Sequence, residues 1–577
     1  MNPNPTHVNH VCRFRTAIVC FGLLAGFVVI FSRLFFLQVI QANEGALQAH
    51  GQHFENVEVT GSRGLIVDRN GSTYAINVKV PSVYAQSADL HDRGHVARAL
   101  APILDMSVSS LERKLQKKKT RIQLKRKLTD EEAKSVQALA LPGITVTMES
   151  HRFYPKGTAL AHLLGIAGKD SQGLEGVEWR FDAYLRGQKE VIRFQRDASK
   201  GRIALVHDVG RRLHEGYRVT LTIDEVIQYI VEEELDDAMN RTKAKRGGVL
   251  VMDPRTGAML AWALRPTFDP NHYQDWPNDH YVNRAVTDPY EPGSTLKVMV
   301  AAAAIEQQKS SPDELIYCGD GVMPIAGTKM HDIGKHGWMT LGGVIQHSSN
   351  IGMVKVANNL GRANVYESLK AFGFGERTEI DLPGESLGKL LPIDKWDSRT
   401  LSSLAIGQSV SVTPIQLLTA MSAVANGGSL LRPYVVSQVE DVRGNVVVNQ
   451  QVEIRRNPIS YETSEAMKAM LVNAVAQGTG KNAALLDYTV AGKTGTSQKV
   501  DPKTKTYSRT KSIGSFVGFV PAEDPRLAIL VVIDEPEGKG YGGEVAAPVF
   551  RKVAGKALRQ LNVMPKDGGI VKVAGLF

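Results

Sequence analysis

The sequence predicts an α+β protein with a single N-terminal transmembrane helix and two domains beyond it. Three features indicate this: an apolar run near the N-terminus, a region of alternating strands that ends near residue 220, and a longer region whose strands flank a helical middle. The strands of the longer region lie far apart in the sequence. We therefore expect them to form one antiparallel sheet packed against helices.

The N-terminal apolar run is long enough to cross a bilayer. Ala17 to Phe31 contains no charged residue, and apolar residues resume after Arg33 as far as Ile40. The run corresponds to about 25 helical residues, or roughly 37 Å. The arginine is expected to reach towards the membrane interface.

The flanks of this run predict its orientation. Arg13 and Arg15 precede it, so the positive-inside rule predicts a cytoplasmic head at 1–15, an anchor at 16–40 and an extracytoplasmic remainder. A cleaved signal peptide is the alternative. The length of the apolar segment and the lack of a convincing A-x-A cleavage site favour an uncleaved anchor.

The first exported block, 41–220, is predicted to be an α/β domain. VEVTGSRGLIVDRNGSTYAINVKVPSVYA alternates as strands do and turns at Asn70-Gly71, a strong hairpin signal. Residues 85–140 have a mainly helical pattern. The glycine-rich segments RFYPKGTALAHLLGIAG and GLEGVEWRFDAYLRG are expected to be a second strand region.

A second domain is predicted at 221–560, followed by a tail at 561–577. Thr222 or Asp224 can cap a helix, and GGVLVMDPRTGAMLAWAL follows as a hairpin that turns at 253–257. The later segments YTVAGKTGT, SIGSFVGFVPA and LAILVVIDEP are expected to complete the sheet.

The formal charge of +10 could indicate a nucleic-acid partner, and the densest basic run extends from Arg113 to Lys127. We interpret this run as a solvated face, as charge runs usually are. Thr129 and Glu132 directly follow it and form a capping box that opens a helix. No nucleic-acid partner is therefore expected.

The cysteines indicate neither a disulfide framework nor a metal site. Only three occur, of which two lie in or beside the apolar run and Cys318 stands alone. Cys318, His331, Asp332 and His336 are close in sequence, but their spacing fits no standard zinc motif. We interpret this segment as a polar loop and expect no metal or other cofactor.

Three short motifs carry the candidate chemistry. Ser294 and Lys297 form S-x-x-K before an apolar run, which places the lysine one helical turn after the serine and its amine within reach of the hydroxyl. Ser348-Ser349-Asn350 forms S-x-N before a second apolar helix, and Lys493-Thr494-Gly495 lies on a predicted strand. The first motif is weak alone, whereas the three together are specific.

The chemistry of these side chains suggests roles for each of them. Ser294 is the candidate nucleophile at a helix N-terminus, and Lys297 is its candidate base if burial and a second cation lower its pKa. Ser348 can relay a proton to a leaving amine, and Asn350 can hold a substrate amide and the lysine. The strand residues are expected to bind substrate: Lys493, Thr494 and Thr496 suit a carboxylate, and Gly495 leaves room for an extended peptide.

The three motifs, in this order, resemble those of penicillin-binding proteins and serine β-lactamases. RGLIVDRNG, RFYPKGTALAHLLG and GLEGVEWRFDAYLRG resemble the pedestal blocks of the class B penicillin-binding proteins, and NRAVTDPYEPGSTLK, AIGQSVSVTPIQL and GGEVAAPVF resemble parts of their transpeptidase domain. The resemblance extends from the anchor to about residue 555. It implies a dimerisation-type pedestal followed by a β-lactamase-like transpeptidase domain, with an oxyanion hole formed by the N–H groups of Ser294 and Thr496.

The resemblance further implies a peptidoglycan D,D-transpeptidase of the bacterial inner membrane, most similar to the division-septum type. Its substrates would be stem peptides ending in D-Ala-D-Ala, its inhibitors β-lactams, and its partners a lipid-linked glycan polymerase and division-complex membrane proteins. An elongation-type transpeptidase shares every motif and remains an alternative. A membrane-anchored β-lactamase, a catalytically idle division scaffold and a bifunctional synthase fit the sequence less well.

Overall fold

The computed structural model describes residues 5–41, 54–117, 119–187, 189–196, 202–205, 215–325, 328–501, 504 and 506–565. The described helices are α1 (Pro5–Phe35), α2 (Arg93–Leu104), α3 (Val108–Leu115), α4 (Asp130–Ala138), α5 (Ala161–Leu164), α6 (Gly176–Arg180), α7 (Asp182–Leu185), α8 (Glu225–Thr242), α9 (Arg284–Thr287), α10 (Lys297–Glu306), α11 (Leu341–His347), α12 (Asn350–Leu360), α13 (Arg362–Ala371), α14 (Thr400–Ala405), α15 (Pro414–Ala425), α16 (Tyr461–Ala476), α17 (Gly542–Val545) and α18 (Ala547–Gln560).

The described strands are β1 (Phe54–Thr60), β2 (Ile66–Val67), β3 (Thr73–Gln86), β4 (Arg121–Lys125), β5 (Ile144–Phe153), β6 (Lys189–Arg196), β7 (Arg202–Leu205), β8 (Arg218–Leu221), β9 (Arg246–Met252), β10 (Met259–Arg265), β11 (Leu315–Tyr317), β12 (Val322–Ile325), β13 (Thr328–His331), β14 (Trp338–Thr340), β15 (Lys389–Leu390), β16 (Val410–Ser411), β17 (Leu430–Leu431), β18 (Val436–Glu440), β19 (Val446–Asn449), β20 (Ile454–Arg456), β21 (Ala491–Val500), β22 (Tyr507–Val520) and β23 (Leu527–Asp534). The chain divides into two compact units, Met1–Gly61 with Gln188–His214 and Ser62–Gly187 with Glu215–Phe577.

The first unit contains the predicted membrane helix. A stretch of 29 residues, Cys12–Ile40, has a mean hydropathy of 2.4 and is the only helix among the described residues that is long and apolar enough to cross a membrane. It comprises most of α1 and a π-helical turn at Phe36–Ile40. A three-stranded antiparallel sheet in the order β1-β6-β7 also belongs to this unit.

The second unit contains a seven-stranded sheet that joins distant parts of the sequence. Its order is β19-β18-β8-β2-β3-β4, and β5 pairs with β3. The predicted turn at Asn70-Gly71 is confirmed, since it connects β2 to β3 and Asp68 accepts hydrogen bonds from the N–H groups of Asn70 and Ser72 at 2.9 and 2.7 Å. β18 and β19 come from the C-terminal half and extend this sheet through β8.

A five-stranded antiparallel sheet organises the rest of the second unit, in the order β10-β9-β23-β22-β21. The expectation that early and late strands meet in one sheet is confirmed. Val249 and Val251 of β9 pack with α8 and α18 on one face, whereas Leu250 and Met252 pack with α10 and α15 on the other. Because side chains alternate along a strand, an apolar run without polar interruptions buries both faces.

Three buried charged side chains hold the N-terminal part of this unit together. Glu178 is fully buried and accepts from Arg63 Nε and Arg152 Nε, each at 2.6 Å. Burial alone would raise the pKa of the Glu178 carboxyl, but Arg152 and Arg63 outweigh that effect and hold the pKa below its ordinary value. The carboxylate is therefore charged. Without it Arg152 would be a buried charge with no carboxylate partner among the described residues, whereas Arg63 would keep Asp182 at 2.6 Å.

The local predictions are confirmed at two helix starts and wrong in one region. The capping box of Thr129 and Glu132 is present, and Asp224, rather than Thr222, caps α8. The glycine-rich segments between 152 and 187 form the short helices α5, α6 and α7 instead of strands. A Cβ at Gly165 would lie 2.0 Å from the carbonyl oxygen of Glu175, so the glycines here serve close backbone packing.

Candidate active site

The turn that carries Ser294 leads directly into α10. Ser294 lies in a 3-10 turn, Gly293–Thr295, and is partly buried, and Lys297 is the first residue of the helix. Gly293 has a φ of 57°, and a Cβ there would lie 2.8 Å from the carbonyl oxygen of Thr496. Glycine thus allows the serine turn to lie directly beside β21.

The Lys297 side chain is completely buried at the centre of the site. Its Nζ donates to the Ser348 carbonyl oxygen at 2.7 Å and to Asn350 Oδ1 at 2.7 Å, and lies 3.3 Å from Ser348 Oγ. Among the hydrogen bonds of the described residues, none joins Ser294 Oγ to this amine. The structure therefore brings Lys297 to the S-x-N motif rather than into a hydrogen bond with the serine one turn before it.

The S-x-N motif spans the junction of two helices. Ser348 follows α11 with a φ of 58°, an uncommon conformation for a residue with a side chain, and Ser349 caps α12, whose first residue is Asn350. Ser348 Oγ lies between two amines, since Lys493 Nζ donates to it at 3.0 Å. A single hydroxyl thus connects both lysines of the site.

Burial lowers the pKa of both lysines. The pKa of Lys297 lies well below its ordinary value, because of desolvation first and the nearby positive charge of Lys493 second, while Asp332 opposes the shift. Desolvation lowers the pKa of Lys493 to about 7. A neutral Lys297 amine can donate two hydrogens to the two carbonyl oxygens at 2.7 Å and retain a lone pair to accept a proton.

The predicted binding residues lie on β21, an edge strand of the five-stranded sheet. Thr494 donates its hydroxyl hydrogen to Thr479 Oγ1 at 2.9 Å, and the exposed Thr496 accepts from the Gly542 N–H at 3.1 Å. Thr479 approaches the site from the loop after α16, and no motif pointed to it. The backbone edge of β21 is open for an added strand.

The space beside Gly495, expected to accommodate an extended peptide, is filled by other parts of the protein. A Cβ at this position would lie 2.4 Å from Ser515 Oγ and 2.9 Å from the carbonyl oxygen of Pro292. The room beside the glycine is occupied by the serine turn and β22, because that face of β21 points into the protein. The glycine thus allows internal packing, and an added peptide would use the strand edge instead.

Asp332 is the residue of the site that sequence reasoning did not identify as functional. It accepts from Ser349 Oγ at 2.5 Å, from the Asn350 N–H, and from the Ile351 N–H at 3.2 Å, and so caps α12. The carbonyl of His331 accepts from Asn350 Nδ2 at 2.7 Å, which turns Asn350 Oδ1 towards Lys297. The segment considered as a zinc candidate thus holds the S-x-N motif in place.

Two known domain families match this chain, one in each half. The penicillin-binding protein transpeptidase domain corresponds to residues 247–555, and the penicillin-binding protein dimerisation domain corresponds to residues 58–221. All three motifs lie inside the first of these ranges.

Similar proteins extend over nearly the whole chain. Stage V sporulation protein D of Bacillus subtilis is 36% identical over 563 residues, which cover 96% of this chain and 87% of that protein. Peptidoglycan D,D-transpeptidase FtsI of Escherichia coli K12 is 32% identical over 573 residues, 97% of this chain and 94% of that protein. The crystal structure of penicillin-binding protein 3 from Mycobacterium tuberculosis complexed with aztreonam superposes with a TM-score of 0.70 and 28% identity, over 88% of this chain and 98% of that one.

Proposed function

This chain belongs to the class B penicillin-binding proteins and is a peptidoglycan D,D-transpeptidase, and from that premise we propose which of its residues carry the reaction. Ser294 is the nucleophile, Lys297 its base, and Ser348, Asn350 and Lys493 complete the catalytic group. The observation that carries the proposal is that one residue from each of the three motifs meets at a single hydroxyl, with Ser348 Oγ 3.3 Å from Lys297 Nζ and 3.0 Å from Lys493 Nζ.

In the first step, Ser294 Oγ attacks the carbonyl carbon of the penultimate D-Ala of a stem peptide. The neutral Lys297 amine takes the hydroxyl proton, and the N–H groups of Ser294 and Thr496 stabilise the oxyanion. As the peptide C–N bond breaks, the Lys297 ammonium returns that proton through Ser348 Oγ to the departing D-Ala amine, and both side chains regain their starting protonation states. The product is an ester between Ser294 and the shortened stem peptide.

In the second step, an amine of a neighbouring stem peptide attacks the ester carbon. Its proton returns along the same route to Ser294 Oγ, which leaves as the free hydroxyl while a new amide forms. A water molecule in place of the amine would give hydrolysis. The deep burial of Lys297 and Lys493 supports a site that limits access of water to the base.

Binding of the stem peptide uses the open edge of β21. Lys493, Thr494 and Thr496 receive the terminal carboxylate, and an extended peptide pairs with the strand beside Gly495. Asn350 holds a substrate amide while it orients Lys297. β-Lactams occupy the same site and acylate Ser294.

The cellular setting is also part of the proposal. We place residues 1–15 in the cytoplasm, the anchor 16–40 in the inner membrane, and the domains 41–220 and 221–560 outside it, followed by the tail 561–577. Full-length similarity to FtsI supports action at the division septum, together with a lipid-linked glycan polymerase and division-complex membrane proteins. Recruitment of a fluorescent fusion to the cell midpoint would support this setting, and uniform lateral labelling would instead support the elongation role.

Turnover of a natural substrate tests the reaction. The full-length protein in detergent is incubated with uncross-linked glycan strands that carry pentapeptides, and both released D-Ala and new cross-links are measured. We expect the two products in near-equal amounts and neither with Ser294→Ala. Release of D-Ala without cross-links would show a hydrolase, and no product from the native protein would favour a structural role.

Replacement of Asp332 by asparagine is expected to lower the rate of Ser294 acylation by a penicillin about 10- to 100-fold, because the S-x-N segment loses its anchor. Loss of the negative charge also lowers the pKa of Lys297, so the acidic limb of the pH profile should move to lower pH. The rate is measured across pH by intact mass.

Asp92→Asn is the matched control, since Asp92 caps α2 and accepts from the His95 N–H at 2.9 Å, far from the motifs in sequence. It should affect stability about as much as Asp332→Asn and leave the pH profile unchanged. If the Asp332→Asn enzyme kept the native rate and pH profile, Asp332 would not be a positioning residue of the site.

A further inference from the structure

A second cavity lies away from the motifs, within the second unit. It has a volume of about 500 Å³ and lies between residues of β4 and β5 on one side and the segment Pro270–Asp275 on the other. The two walls are joined by Asn271, which accepts from the Tyr154 N–H at 2.9 Å and donates to the Tyr154 carbonyl at 2.9 Å. We call this cavity the basic cleft because of the charges described next.

The basic run of the sequence supplies most of those charges. The basic residues that line the cleft are Lys114, Lys125, Arg126, Lys127, Arg152 and Lys169. Two imidazoles, His151 and His272, and only two carboxylates, Asp105 and Asp275, also line it. The run from 113 to 127 was interpreted as a solvated face, whereas in the structure four of its cations meet at one cavity.

Only part of this positive charge is neutralised by neighbouring acids. Lys125 pairs with Glu132 at 2.7 Å and Arg126 with Glu149 at 3.0 Å. Lys127 and Lys169 form no ion pair with any residue that the structure describes. The cleft therefore carries an excess of positive charge that a bound anion could compensate.

Arg152 adds an unsatisfied donor to the wall of the cleft. Its Nε donates to Glu178 and its Nη1 to the Gly64 carbonyl, each at 2.6 Å. The whole residue is only 4% exposed. Its Nη2 is buried and has no hydrogen-bond partner among the described residues. A buried donor without an acceptor costs free energy, so the protein beneath this wall of the cleft is short of acceptors.

The titration of groups around the cleft is consistent with this excess charge. Burial, with Lys127, Arg126 and His272, lowers the pKa of His151 to about 4. Burial and Arg126 also lower the pKa of Lys127, although Asp269 opposes them. Both pKa values are lowered, as expected for basic groups that lie close to other cations and have too few acidic neighbours.

We propose that the basic cleft is a binding site for a multivalent oxyanion, separate from the transpeptidase site. Lys127 and Lys169, which form no ion pair with any described residue, supply the charge that such a group would neutralise. Two sources carry such groups: phosphate or diphosphate esters, and the clustered carboxylates of uncross-linked stem peptides. The site is independent of the reaction proposed for Ser294.

The test is calorimetric titration of the full-length protein in detergent, in a buffer without phosphate. The probes are inorganic diphosphate and a soluble disaccharide pentapeptide, each added separately after the protein has been acylated with penicillin. The double variant Lys127→Glu/Lys169→Glu is compared with Lys119→Glu. Lys119 is exposed, belongs to the same basic run and does not line the cleft.

We expect saturable binding of at least one probe to the native protein and to Lys119→Glu, with affinity at least about tenfold lower for the double variant. Binding of diphosphate alone would identify a phosphate source, and binding of the pentapeptide a carboxylate source. The proposal is overturned if neither probe saturates, or if Lys119→Glu weakens binding as much as the double variant does. Equal melting temperatures of the three proteins verify that both variants are folded.

Discussion

Lys297→Met is expected to lower the rate at which a penicillin acylates Ser294 by about 10³- to 10⁵-fold. Methionine fills the buried space of the lysine stem, but it lacks the amine lone pair that accepts the hydroxyl proton. It also leaves the Ser348 carbonyl and Asn350 Oδ1 without their donor. The rate is measured from the growth of the acylated species by intact mass.

The pH profile separates the loss of a base from general damage to the site. In the native protein, acylation rises with pH as Lys297 loses its proton, and because its pKa lies well below the ordinary lysine value, this rise occurs at correspondingly lower pH. Lys297→Met should lack this acidic limb. Lys468→Met, at a buried lysine that pairs with Glu465 at 2.7 Å, should keep both the rate and the limb. A Lys297→Met enzyme within tenfold of the native rate would refute the assignment of the base.

Glu178→Gln is expected to destabilise the protein by about 3–5 kcal/mol without touching the site residues. The glutamine is nearly isosteric with glutamate, yet it leaves the buried guanidinium groups of Arg63 and Arg152 without the carboxylate that both contact at 2.6 Å. This loss of stability is measured as the shift in the midpoint of urea unfolding, with one m-value fitted to the native and variant curves.

Glu453→Gln provides the comparison for an exposed ion pair. Glu453 pairs with Arg432 at 3.0 Å, but its side chain is 49% exposed, so its loss should cost less than about 1 kcal/mol. Equal midpoints for the two variants would mean that the buried network contributes no more than a surface pair.

The proposed catalytic group could be identified from the sequence because its residues occur in short motifs with local geometry. Lys297 follows Ser294 within one helical turn, and Ser349 caps the helix that Asn350 begins. The five-stranded sheet was predictable for a similar reason, since β9, β10 and β23 are apolar runs bounded by turns. The contact between Lys297 Nζ and Asn350 agrees with the role suggested for the asparagine, whereas local pattern could not show the bond from Nζ to the Ser348 carbonyl.

The remaining features depend on contacts between residues that are distant in the sequence. Asp332 precedes Asn350 by a loop and the whole of α11, and its position gave no sign that it would cap α12. The segment around Glu178 was expected to be extended, but its pairing with Arg63 and Arg152 accompanies short helices. The basic run looked solvated because nothing local places Arg152 and Pro270–Asp275 opposite it.

The residue to which a penicillin becomes attached tests the proposed nucleophile most directly. The full-length protein is incubated with a penicillin, its intact mass is followed over time, and the adduct is located by peptide mapping alongside Ser294→Ala. The proposed chemistry predicts one long-lived adduct per chain, on the peptide that contains Ser294, and none on the variant. An adduct on another residue, or an equal adduct on Ser294→Ala, would contradict the assignment of the nucleophile, and rapid loss of the adduct with hydrolysed drug would contradict a transpeptidase.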